Sequence, residues 1–440
     1  MGVRASKARK HLSADALFRV VRSLFATIPE ARRSEGALPL ADALMAGFAM
    51  FSLKCPALLD FDRQRAEGNL QTIYGIERVP CDSYMRELLD PVVPDSLRSV
   101  FTGVFRQLQR GKALEALVFV QGCYLLALDG TGYFSSPTIH CPSCLEMHHR
   151  DGSITYSHQL LGAALIHPDR RAVIPLMPEA ILKQDGSEKN DCERNAAQRL
   201  LAKLRRDHPH LQVIVTEDGL SSNAPHIETL QAYGCHYILG VKEGDHGYLF
   251  AYVHAAELAG RVQHYERRDR ATGILHRFRF LNDGPLNASH PELRVSFLEY
   301  WEVHSDHVQH FSWVTDLRVH YTTVETLMRG GRARWKIENE TFNTLKNQGY
   351  HFAHNYGHGT PHLSVVLAML RMLAFLVDQT QQLCCALFRA VAEKCGSKRG
   401  LWERLRALFF AYALTSMRQL LEALLYGLKK TAPQLALDSS

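Results

Sequence analysis

Residues 124–132 read Y-L-L-A-L-D-G-T-G, and no other stretch constrains the fold as tightly. The unbroken apolar run at 125–128 is too short for a helix of its own. It predicts a central strand buried on both faces and bounded by the turn signals Gly130 and Gly132. The run ends in one carboxylate, Asp129, where an open sheet gives way to a crevice and α/β proteins place their chemistry. One Asp-Gly pair is equally a plain turn former, so the question is whether other acids converge on it.

A second short apolar strand, 212–216, also runs into acid and glycine, at Glu217, Asp218 and Gly219. Around these two strands the pattern alternates. Strands are expected at 155–167 and 171–178, a helix at 191–206, a helix at 225–233 and a strand at 236–241. The charged run from Glu188 to Glu193 reads as the start of the 191–206 helix. Alternation between 244 and 303, as in Leu275-His276-Arg277-Phe278-Arg279-Phe280, predicts a β-rich insertion, and 311–319 a further strand. Such a succession makes an α/β layered sheet with mixed strand directions.

Arg329-Gly330-Gly331 is expected to break the chain before a helix over 332–347, R-A-R-W-K-I-E-N-E-T-F-N-T-L-K-N. Arg334, Glu338, Phe342 and Lys346 recur every four residues on one side of it, and Trp335, Phe342 and Leu345 supply apolar surface. Packed on the sheet, this helix could aim Glu338 at the strand ends, with Arg334 one turn earlier. Glu340 points to roughly the opposite side at ~100° per residue, so only one of the two glutamates can face the site.

Both ends read as helical. Before about residue 115, helical stripes run through Leu17–Ile28, Leu40–Phe51, 83–89 and 96–109. Their arginines Arg19, Arg22, Arg98, Arg106 and Arg110 are compatible with a DNA-docking module or with an ordinary solvated face. After the 332–347 helix, further helices are expected at 363–379, 384–393 and 402–428, with a loose tail from Thr431. The expected organisation is a helical region 1–115, a catalytic core 116–395 and a C-terminal helical region 396–440.

Two or three acids gathered in one crevice repel each other, and divalent cations relieve that repulsion. Carboxylate oxygens suit Mg²⁺ or Mn²⁺. Two such ions ~3.5–4 Å apart activate a water or 3′-hydroxyl and stabilise the leaving oxygen in phosphodiester displacement.

The order strand-Asp, helix, strand-Asp, strand, β-rich insertion, helix-Glu resembles the ribonuclease-H-like core of bacterial insertion-sequence DDE transposases, over roughly 124–375. L-D-G-T resembles that family's first-Asp motif, V-T-E-D-G its second, and R-W-K-I-E-N-E-T-F-N-T-L-K its third. Of the family's Tyr-Arg-Glu-Lys signature, Arg334, Glu338 and Lys346 are present. The Tyr position is Gly331, and Lys346 falls one residue late, which leaves Glu340 as a second candidate acid. The resemblance implies a catalytic, metal-holding triad of Asp129, Asp218 and Glu338 with two Mg²⁺ (or Mn²⁺) ions. It implies cleavage of transposon ends and their joining to target DNA, with Arg334 and Lys346 on the DNA. The implied partners are double-stranded DNA and further copies of the chain, as a homodimer or higher oligomer. The rivals are a metal-dependent nuclease that cuts without joining, and a domesticated, non-catalytic DNA-binding protein.

The net charge, 51 basic less 45 acidic side chains or +6, permits such a polyanionic partner without requiring it. The ten cysteines do not form a disulfide pattern, residues 1–10 lack a signal-peptide core, and the apolar 363–375 is interrupted by Arg371. A reducing cytoplasm and no membrane are therefore expected. Cys141-Pro-Ser-Cys144 has the spacing of half a zinc site, with His148, His149, His158 and Cys192 as possible completions. The incompleteness of that pattern weighs against a structural zinc. His351, His354, His358 and His362 read as a polar loop near DNA or as helix-flanking residues.

Overall fold

The computed structural model describes residues 11–30, 38–183 and 191–427. The basic first ten residues, Glu188 to Asn190 of the charged run and the tail from Thr431 lie outside these. Twelve strands among the described residues form one mixed sheet: β1 Val118–Val120, β2 Cys123–Ser136, β3 Leu145–His148, β4 Ile154–His167, β5 Arg170–Pro175, β6 Glu179–Ile181, β7 Val213–Glu217, β8 His236–Gly240, β9 Gln263–Arg268, β10 Leu275–Pro285, β11 Arg294–Val303 and β12 Val308–Thr315. Their order is β3-β4-β2-β7-β8-β12-β11-β10-β9, with β1 on β2 and both β5 and β6 on β4. β2, β7 and β8 run parallel, while β4 flanks β2 and β12 flanks β8 in the opposite sense. This is the expected ribonuclease-H-like mixed sheet with helices on it and at both ends.

The parallel pair sets the site. Leu126 and Ala127 of β2 lie opposite Val215 and Thr216 of β7, all fully buried. Two residues further along each strand bring Asp129 and Asp218 to the same level at the carboxyl edge of the sheet.

Several local expectations are corrected. β2 does not end at Asp129-Gly130 but runs on to Ser136, paired with β4, with a shift in register between Gly132 and Phe134. Gly130 is there for space: a Cβ on it would lie 1.9 Å from Oε1 of Glu193. Gly330 and Gly331 do not break the chain but close the helix Val324–Arg332. A Cβ on Gly331 would meet the Trp313 indole at 2.4 Å, and one on Gly330 the Phe119 ring at 2.9 Å, so here glycine permits close helix–sheet packing. The β-rich insertion opens with a helix, Gly247–Leu258, before β9, β10 and β11 form its antiparallel meander. The helix expected over 402–428 is two, Lys398–Ala411 and Met417–Tyr426.

The terminal helices interlock on one central helix, Leu363–Cys384, against which Leu40–Ser52 packs. That 22-residue helix is long and apolar enough to cross a membrane, but 94% of its most apolar window is buried inside the protein. Its Arg371 donates to the Phe352 carbonyl at 2.6 Å and sits over the rings of Phe51 and Tyr356, 4.6 and 4.7 Å from their centres. Asp15 in Ala14–Phe25 accepts the backbone N–H groups of Met417 and Arg418 at 2.7 and 3.2 Å, capping the last helix. Asn69 donates to the carbonyls of Phe409 and Tyr412 at 2.6 and 2.7 Å.

Two of the N-terminal arginines are committed to structure. Arg22 pairs with buried Asp42 at 2.5 Å. Arg98 is buried among Asp95, Asp207 and Glu179 at 3.1, 3.3 and 3.6 Å, tying the helix Arg98–Arg110 to the sheet layer. Arg19, Arg106 and Arg110 are exposed.

Candidate active site

Glu338 reaches the strand ends because its segment is pressed onto β2 and β4. Gly162 of β4 lies directly opposite Asp129, and the Phe342 ring occupies the space its missing side chain leaves, 2.7 Å from where a Cβ would be. The segment is not the uniform α-helix that four-residue spacing predicts. After a turn at Ala333–Arg334, residues Ile337–Phe342 form a π-helical stretch that passes into Asn343–Asn347. A wider turn of this kind rotates the following side chains relative to α-helical phase, and π-turns recur at functional sites.

Arg334 joins two of the three predicted acids. Its Nη1 lies 3.5 Å from Oδ2 of Asp129 and its Nη2 2.7 Å from Oε1 of Glu338. Glu340 turns away and pairs with Arg171 at 3.3 Å, beside β5. Asp218 stands just past β7, where its Oδ1 also accepts the Leu220 N–H at 3.0 Å, so it does form the turn that Asp-Gly suggests. The residue before it is pinned underneath: buried Glu217 bonds His226 Nε2 at 2.5 Å and accepts from the Ser221 hydroxyl at 3.1 Å. Lys346 is exposed on Asn343–Asn347.

The acids act on one another electrostatically. Burial pushes the Asp129 carboxyl up to about 7; Arg334 opposes this, while the negative charges of Glu338, Glu193 and Asp218 add to it. Glu193 was not foreseen as part of the site. Its carboxyl is raised too, by burial first and then by Asp218 and Glu217. It opens the helix Glu193–Asp207. A short connection joins the end of that helix to the start of β7, so the helix runs back along the strand and its first turn returns to the β7 carboxyl end. That topology was the available signal; read locally, Glu193 is only an acid in a first helical turn, where the helix dipole favours it.

Asp218 and Arg334 also line an open cleft of about 700 Å³ together with Lys242, Trp313, Arg332 and Trp335. Trp335 is 47% exposed there.

Residues 171–376 match the family model of the transposase DDE domain. That span therefore carries a transposase DDE domain. Asp218, Arg334 and Glu338 fall within the matched span; Asp129 precedes it and enters the site through the β2–β7 register. No curated protein matches the chain.

The carboxylate oxygens are the donor type a divalent cation takes, and since the three acids do not lie with their ligand atoms all within 4.8 Å of one another, a bound cation would draw them together. Asp129 is half-buried while Asp218 and Glu338 are exposed; burial first, and then the charges of these neighbours, raises the Asp129 carboxyl, and Arg334 at 3.5 Å opposes that rise. This has a pH consequence in chelator-treated protein. The folded chain retains the Asp129 proton up to about 7, whereas the unfolded chain loses it near 3.8. Across that window the native state binds more protons, so the Asp129 contribution to stability is full below the unfolded value and is lost as pH rises through the folded one. Asp129→Asn should remove the slope, so its melting temperature relative to wild type should be higher at about pH 8 than at about pH 5 by calorimetry. An equal difference at both would contradict the shifted carboxyl.

Proposed function

We propose that the chain is a DNA transposase that cuts the ends of its element and joins them to target DNA by two-metal-ion phosphodiester transfer. The observation that supports this reading is that Arg334 pairs with both Asp129 and Glu338, while the charges of Glu338 and Asp218 both act on Asp129. Asp129 and Asp218 would hold the ions from the sheet edge and Glu338 from the helix side, with Glu193 as a further carboxylate at the rim. Bound Mg²⁺ or Mn²⁺ would neutralise the acids, activate a water or 3′-hydroxyl and stabilise the leaving oxygen.

The remaining roles belong to the chain's own side chains. Arg334 neutralises Asp129 and Glu338 and is placed to turn its guanidinium to a phosphate once those acids have another counter-charge. Exposed Lys346, and Lys242 in the cleft, would meet the DNA backbone, and salt would weaken binding accordingly. Glu340, held by Arg171, stays outside the chemistry.

The test is a joining assay with the full chain, Mg²⁺ and duplexes bearing the sequences that flank its coding region. Cleaved ends covalently joined to a second duplex are expected. Cleavage without joined product would replace this reading with a nuclease; binding with neither would replace it with a non-catalytic DNA-binding protein.

A further inference from the structure

Well away from the strand ends that carry the acids, a second cluster brings together four metal-binding side chains. Cys141 and Cys144 lie in the connection between β2 and β3, His158 lies on β4, and His358 lies in the loop before Leu363–Cys384. Their ligand atoms all fall within 4.8 Å of one another. The sulfurs are 3.8 Å apart, Nε2 of His158 is 3.5 Å from each, and Nε2 of His358 is 3.4 Å from Cys144. We propose that Cys141, Cys144, His158 and His358 form a closed, tetrahedral structural zinc site.

The distances carry the argument. With Zn–S near 2.3 Å and Zn–N near 2.0–2.1 Å, a regular tetrahedron has S···S edges of about 3.8 Å and S···N edges of about 3.5 Å. The observed spacings are those edges. A disulfide is excluded, since it would need sulfurs about 2.05 Å apart, and both cysteines are free. Cys144 and His158 are each 1% exposed, Cys141 and His358 are half-buried, and four protein side chains would fill all four positions, as befits a structural rather than a catalytic site. An S₂N₂ donor set selects zinc over the hard cations that carboxylates prefer.

The local chain is shaped for it. A tight turn brings the Cys144 N–H to the Cys141 carbonyl at 3.1 Å, and the Cys141 N–H donates to the Cys144 sulfur at 3.3 Å. Aromatic packing fixes the imidazoles: Phe134 lies 4.5 Å from the His358 ring, and Tyr133 stacks on His158 at 5.9 Å. Their Nδ1 atoms make no hydrogen bond, so ring packing and the Nε2–sulfur contacts set their orientation. His148, His149 and Cys192 take no part. His148 pairs with Glu146, His149 with Thr155, and Cys192 is exposed before its helix.

The site would fasten the β3–β4 pair to the segment that follows the Glu338 helix. The other end of that segment is already held, because Asp90 accepts the backbone N–H groups of Thr360, His362 and Leu363 at 2.9 to 3.1 Å.

The experiment is elemental analysis and X-ray absorption of untagged full-chain protein, without DNA or added Mg²⁺. About one zinc per chain is expected, in a shell of two sulfurs and two nitrogens. His358→Ala should lower the zinc content about tenfold or more. Should that variant fail to fold, His358→Cys keeps four ligands and should retain zinc with three sulfurs in the shell. Wild-type protein without near-stoichiometric zinc, a Cys141→Ser/Cys144→Ser pair that keeps it, or an unchanged sulfur count in His358→Cys would each overturn the site. Zinc content is independent of DNA joining, so the transposase reading can fail while this one stands.

Discussion

Asp129→Asn is expected to lower the rate of DNA cleavage and joining by about 10³-fold or more, with the fold intact. The size follows from what is removed. A cation at such a site supplies several kcal/mol of transition-state charge stabilisation, and about 4 kcal/mol is about 10³-fold in rate. Asparagine fills the same volume and can still accept the Gly130 N–H, which Asp129 Oδ1 accepts at 3.1 Å, so β2 should stay in register. Glu338→Gln should match this loss, while Glu340→Gln, whose carboxylate meets Arg171, should stay within about twofold of wild type. Single-turnover rates on pre-bound duplex would read both. The reverse ranking of the two glutamates would move the third acid to Glu340.

Lys54→Ala is expected to destabilise the protein by about 3–5 kcal/mol, a loss that has nothing to do with chemistry at the acids. The Lys54 side chain is 1% exposed, and its Nζ lies 2.5 Å from Oδ2 of Asp378 and 2.8 Å from the Ser52 carbonyl. The ammonium also sits 3.9 Å above the Trp402 ring, and the Tyr350 hydroxyl donates to the same carboxylate oxygen at 2.8 Å. Burial pulls the Lys54 pKa down and pushes the Asp378 pKa up, so each charge persists only through the other. Alanine would leave a desolvated carboxylate with one hydroxyl for company. Lys54→Met with Asp378→Leu should recover much of the loss, since a buried pair exchanged for apolar groups is often near neutral. Urea unfolding of the single and double variants measures the difference. A single-variant loss under about 1 kcal/mol would show that the N-terminal helices are not fastened to the central helix through this pair.

What the sequence disclosed, it disclosed locally. The apolar runs before Asp129 and Asp218 mark strands buried on both faces, and a run of that kind leaves little freedom in where its terminal acid stands. Four-residue spacing put Arg334 and Glu338 on one side of a helix, and they do meet, although a π-helical stretch begins between them. Backbone phase depends on how Phe342 seats against Gly162, which periodicity does not encode. Gly130, Gly330 and Gly331 looked like punctuation because a glycine that makes room for a neighbour is indistinguishable from one that turns the chain until the neighbour is known. Pairings across long sequence separations were silent for the same reason. Lys54 finds Asp378 across 324 residues, and Cys144 finds His358 across 214. Cys141 and Cys144 advertised half a metal site, and His158 stood among the candidates, but the fourth ligand was hidden in a histidine-rich loop that only tertiary structure brings alongside.

The most direct measurement is an anomalous difference map from crystals of the full chain soaked in Mn²⁺. Manganese density is predicted between Asp129, Asp218 and Glu338, with the Arg334 guanidinium moved off Asp129. Saturating Mn²⁺ that leaves this spot empty, with Arg334 still bridging Asp129 and Glu338, would contradict it.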